Sequence, residues 1–219
     1  GFSWSLGHHP IRRGLIVSGG GALVTLVTVL FLPEDAVFFG VLTLIGSSMI
    51  LTVLIDRFLS KPLKLSRRPL LAWIFLGLGI FMFLLFLPAQ TGHLTDFAAL
   101  LRGEASWRNG PALPADLYNR TLALPEGIYR GYLFTYFGFP GKGFFSTDYF
   151  PLIPWFFLYI SGFFLYKLWT GLNRPGISRM RPRHIAPLAF IGRHCLLIYM
   201  LHQPVLYALT LVIYRFRRL

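Results

Sequence analysis

The 219-residue chain is poor in charge and poorest in acid: charged residues make up 13% of it, and 8 Asp and Glu face 21 Lys and Arg. Soluble domains carry about 25% charged residues, so the composition excludes an ordinary water-soluble enzyme. Cysteine occurs once, as Cys195 inside an apolar run, which rules out an intrachain disulfide. No spacing of His, Cys, Asp or Glu suits a metal ion, no nucleophile elbow occurs and no paired carboxylates stand out, so no metal is expected. The glycine run Gly19-Gly20-Gly21 lacks the Lys-Ser or Lys-Thr pair that completes a phosphate loop.

What the chain does have is apolar length. Hydrophobic residues make up 55% of it and the mean hydropathy is +0.61. Apolar runs about as long as a bilayer is thick, at 14–32, 37–55, 70–88, 151–170 and 188–213, predict five membrane spans. None alternates as a barrel strand does, and a backbone in lipid must satisfy its own polar groups, so each is expected to be a helix. The fold class is therefore all-α: a polytopic transmembrane helix bundle forming a single integral-membrane domain over 1–219. Pro33-Glu34-Asp35 predicts a tight turn between the first two spans. The 59-residue loop 89–147 is longer than a connection needs, and its aromatic stretch 128–145 suits a segment lying at the membrane surface.

The net charge of +13 could be the footprint of a nucleic-acid-binding protein, but its placement argues against nucleic acid as a partner. The basic residues concentrate beside the ends of apolar runs. Arg12, Arg13, five in the second connection (Arg57, Lys61, Lys64, Arg67, Arg68) and six flanking the last (Lys167, Arg174, Arg179, Arg181, Arg183, Arg193) fall on one side, which with Asp56 carries +12. The other side holds Glu34 and Asp35 and a long loop that, with Asp148, is neutral. The positive-inside rule then makes the basic side, and the N-terminal end of this chain, cytoplasmic. Five crossings leave Arg215, Arg217 and Arg218 on the outer side; a sixth would misplace the larger group.

Few residues could carry chemistry. His202 sits near the middle of the last run, where ionisable groups are rare and functional by default. Cys195, Tyr199 and His202 follow at helical spacing on one face, bordered by Gln203, with Pro204 freeing a backbone carbonyl. The plain alternative is a neutral histidine bonded to a neighbouring helix. Asp148, just ahead of the fourth run, can cap that helix or orient and deprotonate an acceptor hydroxyl from the outer side. Arg12, Arg13 and Arg193 lie at helix ends where phosphates could be met, although topology alone explains arginines there. Gly14, Ser18, Gly21, Thr25 and Thr28 form a small-residue stripe, repeated more briefly by Gly40, Thr43 and Ser47, which reads as close helix packing.

Arg12-Arg13-Gly14-Leu15, Phe39-Gly40-Val41-Leu42 with Ile45-Gly46, Gly138-Phe139-Pro140, Asp148-Tyr149-Phe150-Pro151-Leu152 with Pro154-Trp155, and Phe190-Ile191-Gly192-Arg193-His194 through Leu201-His202-Gln203-Pro204 occur in that order. Together they resemble the bacterial membrane family of heparan-alpha-glucosaminide N-acetyltransferase catalytic-domain-like proteins, over nearly the whole chain. The resemblance implies an integral-membrane acyltransferase of a bacterial cytoplasmic membrane. It would move an acyl group, acetyl by preference, from cytoplasmic acyl-CoA to an extracytoplasmic sugar or glycan. Arg12, Arg13 and Arg193 would then hold the donor, Tyr199 and Gln203 would line its route, and His202 and Asp148 would act on donor and acceptor. Relatives usually begin with two further helices, the first bearing an Arg-Gly pair and a histidine, so this chain is expected to be N-terminally truncated. It also carries Thr43 where many relatives have a histidine. Readings from other classes are a transporter or permease component, with His202 on a substrate path, and a non-catalytic membrane scaffold. The bilayer is the expected partner, and a homo-oligomer is compatible with these features.

Overall fold

The computed structural model describes residues 1–90, 94–95, 124–172 and 194–217, together with the backbone of residue 91; within the last stretch the side chains of 202–204, 206–208, 211–212 and 216–217 lie outside the description. Among the described residues there are helices and turns and no strand. Helix α1 is Pro10–Phe31, α2 is Val41–Ile55 continued by a π-helical turn at Asp56–Ser60, and α3 is Pro69–Phe86. A short α4, Tyr132–Phe137, precedes α5, Leu152–Leu172, and α6 is Cys195–Arg217. Proline opens both α1 and α3, where its fixed φ suits a first turn and its missing N–H has no partner to lose.

Among the described residues four helices, α1, α2 with its π turn, α3 and α5, are long and apolar enough to cross a membrane. The expected fifth span corresponds to α6, which is 23 residues long but is not among those four, and residues 188–193 at its predicted start lie outside the described residues. Two boundaries differ from the sequence reading in ways that matter for the site. Helix α1 begins at Pro10, so Arg12 and Arg13 lie within its first turn rather than ahead of it. Helix α2 begins at Val41 and not at residue 37, because 36–40 is non-helical, with Phe39 at φ 55°, and bonded elsewhere.

The spans pack as a row, α1 on α2, α2 on α5 and α5 on α3, with α6 touching α1. Without a hydrophobic force between helices in lipid, close packing must hold such a row, and small residues permit it. At the α1–α2 contact a Cβ on Gly46 would stand 2.7 Å from the Gly14 carbonyl oxygen and 2.2 Å from Ser18 Oγ, so neither helix could keep its place beside any larger residue. The small-residue stripe is thus a packing seam over Gly14, Ser18 and Gly21, both glycines being buried. Its continuation is different: Thr25 and Thr28 turn their hydroxyls onto carbonyls of their own helix.

Between α3 and α5 the seam is aromatic and aliphatic, built on Ala72, Leu76, Ile160, Phe163, Phe164 and Leu168, with Phe75 stacked on Phe164 at 5.3 Å. The segment Phe2–Leu6 is a 3-10 turn laid against α5. Its Trp4 meets the Phe163 ring edge-on at 5.3 Å and donates its indole N–H to the Met49 carbonyl at 3.1 Å, tying α5 to α2. Leu15, Leu23, Leu30, Trp73, Ile74 and Phe81 remain exposed on the outer flanks, as lipid-facing side chains of a spanning bundle would.

Candidate functional site

The site is built by two non-helical segments that run side by side ahead of α2 and α5. The Thr147 and Phe150 amides donate to the Ala36 and Phe39 carbonyls at 3.4 and 3.0 Å. Between them, Ser146 Oγ accepts from the Phe38 amide at 2.9 Å and donates to the Phe38 carbonyl at 3.0 Å. Thr147 Oγ1 adds a bond to the Asp35 carbonyl at 3.0 Å, and the Val37 amide donates to Thr28 Oγ1 on α1 at 3.1 Å. The bonds to Ala36, Val37, Phe38 and Phe39 take the place of helical ones that 36–40 gives up. Irregular backbone at membrane depth is tolerated when protein partners satisfy it in this way.

Depth follows from the neighbours. The start of α2 stands beside Gly21, where a Cβ would meet Thr43 Oγ1 at 2.6 Å and Leu42 Cβ at 3.3 Å. Helix α1 runs ten residues further, to Phe31, which is about 15 Å of helical rise. The first turn of α2 is therefore recessed well below the end of α1. Asp148 reaches into that recess. Its Oδ2 accepts from the Val41 amide at 3.4 Å, at a helix N-terminus whose free amides and dipole favour an anion.

This corrects the sequence reading of Asp148 on one count. It caps α2, not the helix that follows it in sequence, because Ile153 is non-helical (φ −96°, ψ 130°) and interrupts the start of α5. The half-buried carboxylate is hydrogen-bonded by the Tyr199 hydroxyl of α6, and the two line a cavity of about 20 Å³ with Gly21, Gly40, Leu42 and Met200. A cavity of this size accommodates about one water or one polar group of a ligand. Gly40 leaves room for the carboxylate at its lip, since a Cβ there would lie 2.8 Å from Asp148 Oδ2 and displace it.

Tyr199 of α6 meets Asp148. His202 is three residues beyond Tyr199 on the same helix, ~4.5 Å of rise. The side chains of His202 and Gln203, and all of Arg193, lie outside the described residues. Arg12 and Arg13 are exposed on the first turn of α1, and the Arg13 guanidinium packs over Gly7, where a Cβ would stand 1.8 Å from Nη1. Cys195 is exposed at the start of α6. Among the described residues, no group of three or more His, Cys, Asp or Glu is placed to hold a metal ion.

The aromatic stretch 128–145 divides its work. Tyr132, Leu133 and Phe145 are exposed, whereas the Tyr136 hydroxyl bonds Ser47 Oγ, Tyr149 donates to the Thr135 carbonyl, and Tyr129 donates to the Ala89 carbonyl. Burial pushes the titration of the Tyr149 hydroxyl far above the ordinary tyrosine range. These bonds tie α4 to α2 and to the segment that carries Asp148. Sequence reading missed the role of Ser146 and Thr147 as the clasp; the signal available was their place directly before Asp148.

A family model described as heparan-alpha-glucosaminide N-acetyltransferase, catalytic, matches residues 1–204. The chain belongs to this family. The match takes in the clasp, Asp148, Tyr199 and the backbone position of His202, and the family points to a membrane acetyltransferase-like function. No curated protein and no solved structure matches the chain.

Proposed function

We propose that this chain carries the acceptor side of an integral-membrane acyltransferase, which moves an acetyl group from acetyl-CoA on the cytoplasmic side to a sugar or glycan across the membrane. The observation that carries the reading is the recessed Asp148–Tyr199 pair at the N-terminus of α2, in a chain of this family. A carboxylate held by a helix amide and a phenol, beside space for about one polar group, can accept a hydrogen bond from the attacking hydroxyl or amine and orient it. His202, within one turn of Tyr199, is the proposed base, and Gln203 a polar neighbour on the donor's route. Arg12, Arg13 and Arg193 are proposed to meet the donor's phosphates, with the N-terminal end of the chain on the cytoplasmic side of the membrane. No metal enters this scheme.

The test is acetyl transfer in proteoliposomes carrying the natural full-length protein, with acetyl-CoA as donor and glucosamine as acceptor. Thiol release and acetylated sugar are measured together. His202→Ala is expected to lower the rate by about 10²–10⁴, the usual contribution of a positioned acid or base. Transfer at the wild-type rate in both His202→Ala and Asp148→Asn rejects the assignment of these residues.

A further inference from the structure

At the opposite end of the bundle from Asp148, the π-helical turn after α2, the 3-10 turn Leu65–Arg67 and the last turns of α5 enclose an open pocket of about 430 Å³. Four cations line it: Lys61, Lys64, Arg67 and Lys167, with the hydroxyl side chains of Ser60 and Ser66. Asp56 is the one acid beside them among the described residues. It is already engaged, by Lys167 Nζ at 2.8 Å and Lys61 Nζ at 3.7 Å. One carboxylate against four cations leaves a concentrated positive field in a concave site.

Topology accounts for basic residues on this side but not for their convergence. Arg57 and Arg68 belong to the same connection, are exposed, and stay outside the pocket. Lys167 arrives from a helix 111 residues away in sequence, and its side chain, only 16% exposed, is held in place by Asp56 and by the Phe163 ring 4.9 Å beneath it. Lys64 is set by backbone in the left-handed region (φ 50°), which a lysine rarely adopts. Buried Leu65 and Ser60 form a rigid floor, and a close contact between Gly171 and the Ser66 carbonyl, 2.9 Å from where a Cβ would stand, fixes the turn to α5. Pre-set ammonium and guanidinium donors around a concave, solvent-open space suit a group with several anionic oxygens. Phe58 and Leu70, at either end of the connection, are both 71% exposed, which puts the site at a lipid-facing boundary.

We infer that this pocket binds a phosphate group, presented either by the headgroup of an anionic lipid or by a soluble phosphate compound. The inference does not depend on the acyltransferase reading. It is tested with the full chain in nanodiscs of phosphatidylcholine with and without phosphatidylglycerol, counting retained lipid by native mass spectrometry, and separately with inorganic pyrophosphate by calorimetry. Retention of phosphatidylglycerol identifies the lipid source; binding of pyrophosphate identifies the soluble one.

The pair Lys64→Ala with Arg67→Ala is compared with Arg57→Ala with Arg68→Ala, which removes the same charge outside the pocket. The pocket pair is expected to weaken whichever probe binds by at least about tenfold, ~1.4 kcal/mol, while the outer pair leaves it nearly unchanged. Arg67→Gln alone, which keeps the Lys64 backbone undisturbed, is expected to follow the pocket pair in direction. Equal weakening in both pairs, or no binding of either probe by the wild-type chain, overturns the inference.

Discussion

Two aspartates mark the two ends of this bundle, and they are treated in opposite ways. Asp56 is buried and paired with lysines, one of them reaching in from α5 at 2.8 Å. Among the described residues no cation pairs with Asp148, whose partners are the Val41 amide and the Tyr199 hydroxyl. An ion pair neutralises a carboxylate and locks two elements together. An amide and a phenol hold a carboxylate in position and leave its charge available to a ligand. The difference separates an acid that builds the fold from one that can act on a substrate.

The sharpest way to break this comparison is to neutralise each aspartate in turn. Asp148→Asn keeps an oxygen that can accept from the Val41 amide, so the bundle is expected to stay folded while acetyl transfer falls by about a hundredfold or more. Melting followed by tryptophan fluorescence, alongside the transfer assay, separates the two effects. A large drop in stability with unchanged specific activity would make Asp148 a second structural acid. Asp56→Ala is expected to do the reverse. It strands Lys167, whose side chain is 16% exposed, and breaking a buried pair from one side costs about 3–5 kcal/mol. Adding Lys167→Met should recover most of that loss, because the stranded charge goes with it. If the double variant is no more stable than Asp56→Ala, the pair is not what locks α2 to α5.

The four long helices are legible in the sequence because lipid imposes a single rule on backbone, and apolar runs of spanning length obey it. The Gly14–Gly21 seam is legible for a similar reason: small residues at helical spacing have one common use between spans. The site was harder to read. Residues 36–40 are apolar enough to extend a helix, but their bonding to Ser146, Thr147 and Phe150, more than a hundred residues later, and to Thr28 of α1 keeps them out of one. A run-length argument sees neither that pairing nor the recess it makes. Sequence adjacency assigns the cap of Asp148 to the nearer helix, since it cannot reveal the irregular Ile153 that turns α5 away from it. The pairing of Asp56 with Lys167 was invisible for the same reason of distance along the chain.

The comparison can also be sharpened through the seam that sets the recess. Gly46→Val places side-chain atoms where the Gly14 carbonyl and Ser18 hydroxyl now stand, and overpacking of this kind costs about 1–3 kcal/mol. Because α1 and α2 must separate to admit it, the start of α2 should shift against Gly21, and transfer activity should fall with stability. The Asp56–Lys167 end should be less affected. Hydrogen exchange of the α1–α2 amides against those of α3–α5 measures the difference; uniform loosening would mean that the two ends are not independent.

The smallest expected effect tests the clasp from its aromatic side. Tyr149 donates to the Thr135 carbonyl, and burial raises its titration above the ordinary tyrosine range. A group whose proton is held more tightly in the folded state contributes stability that is complete below its unfolded value, near pH ~10, and is lost as pH rises toward the folded one. The wild-type chain should therefore lose stability in strong alkali with a component that Tyr149→Phe lacks. At neutral pH the substitution removes one hydrogen bond and should cost about 0.5–1.5 kcal/mol. Melting curves of both proteins across neutral and alkaline pH should converge as pH rises. Parallel curves would mean that the Tyr149 proton is not what ties α4 to the segment carrying Asp148, and that the recess is closed by the backbone clasp alone.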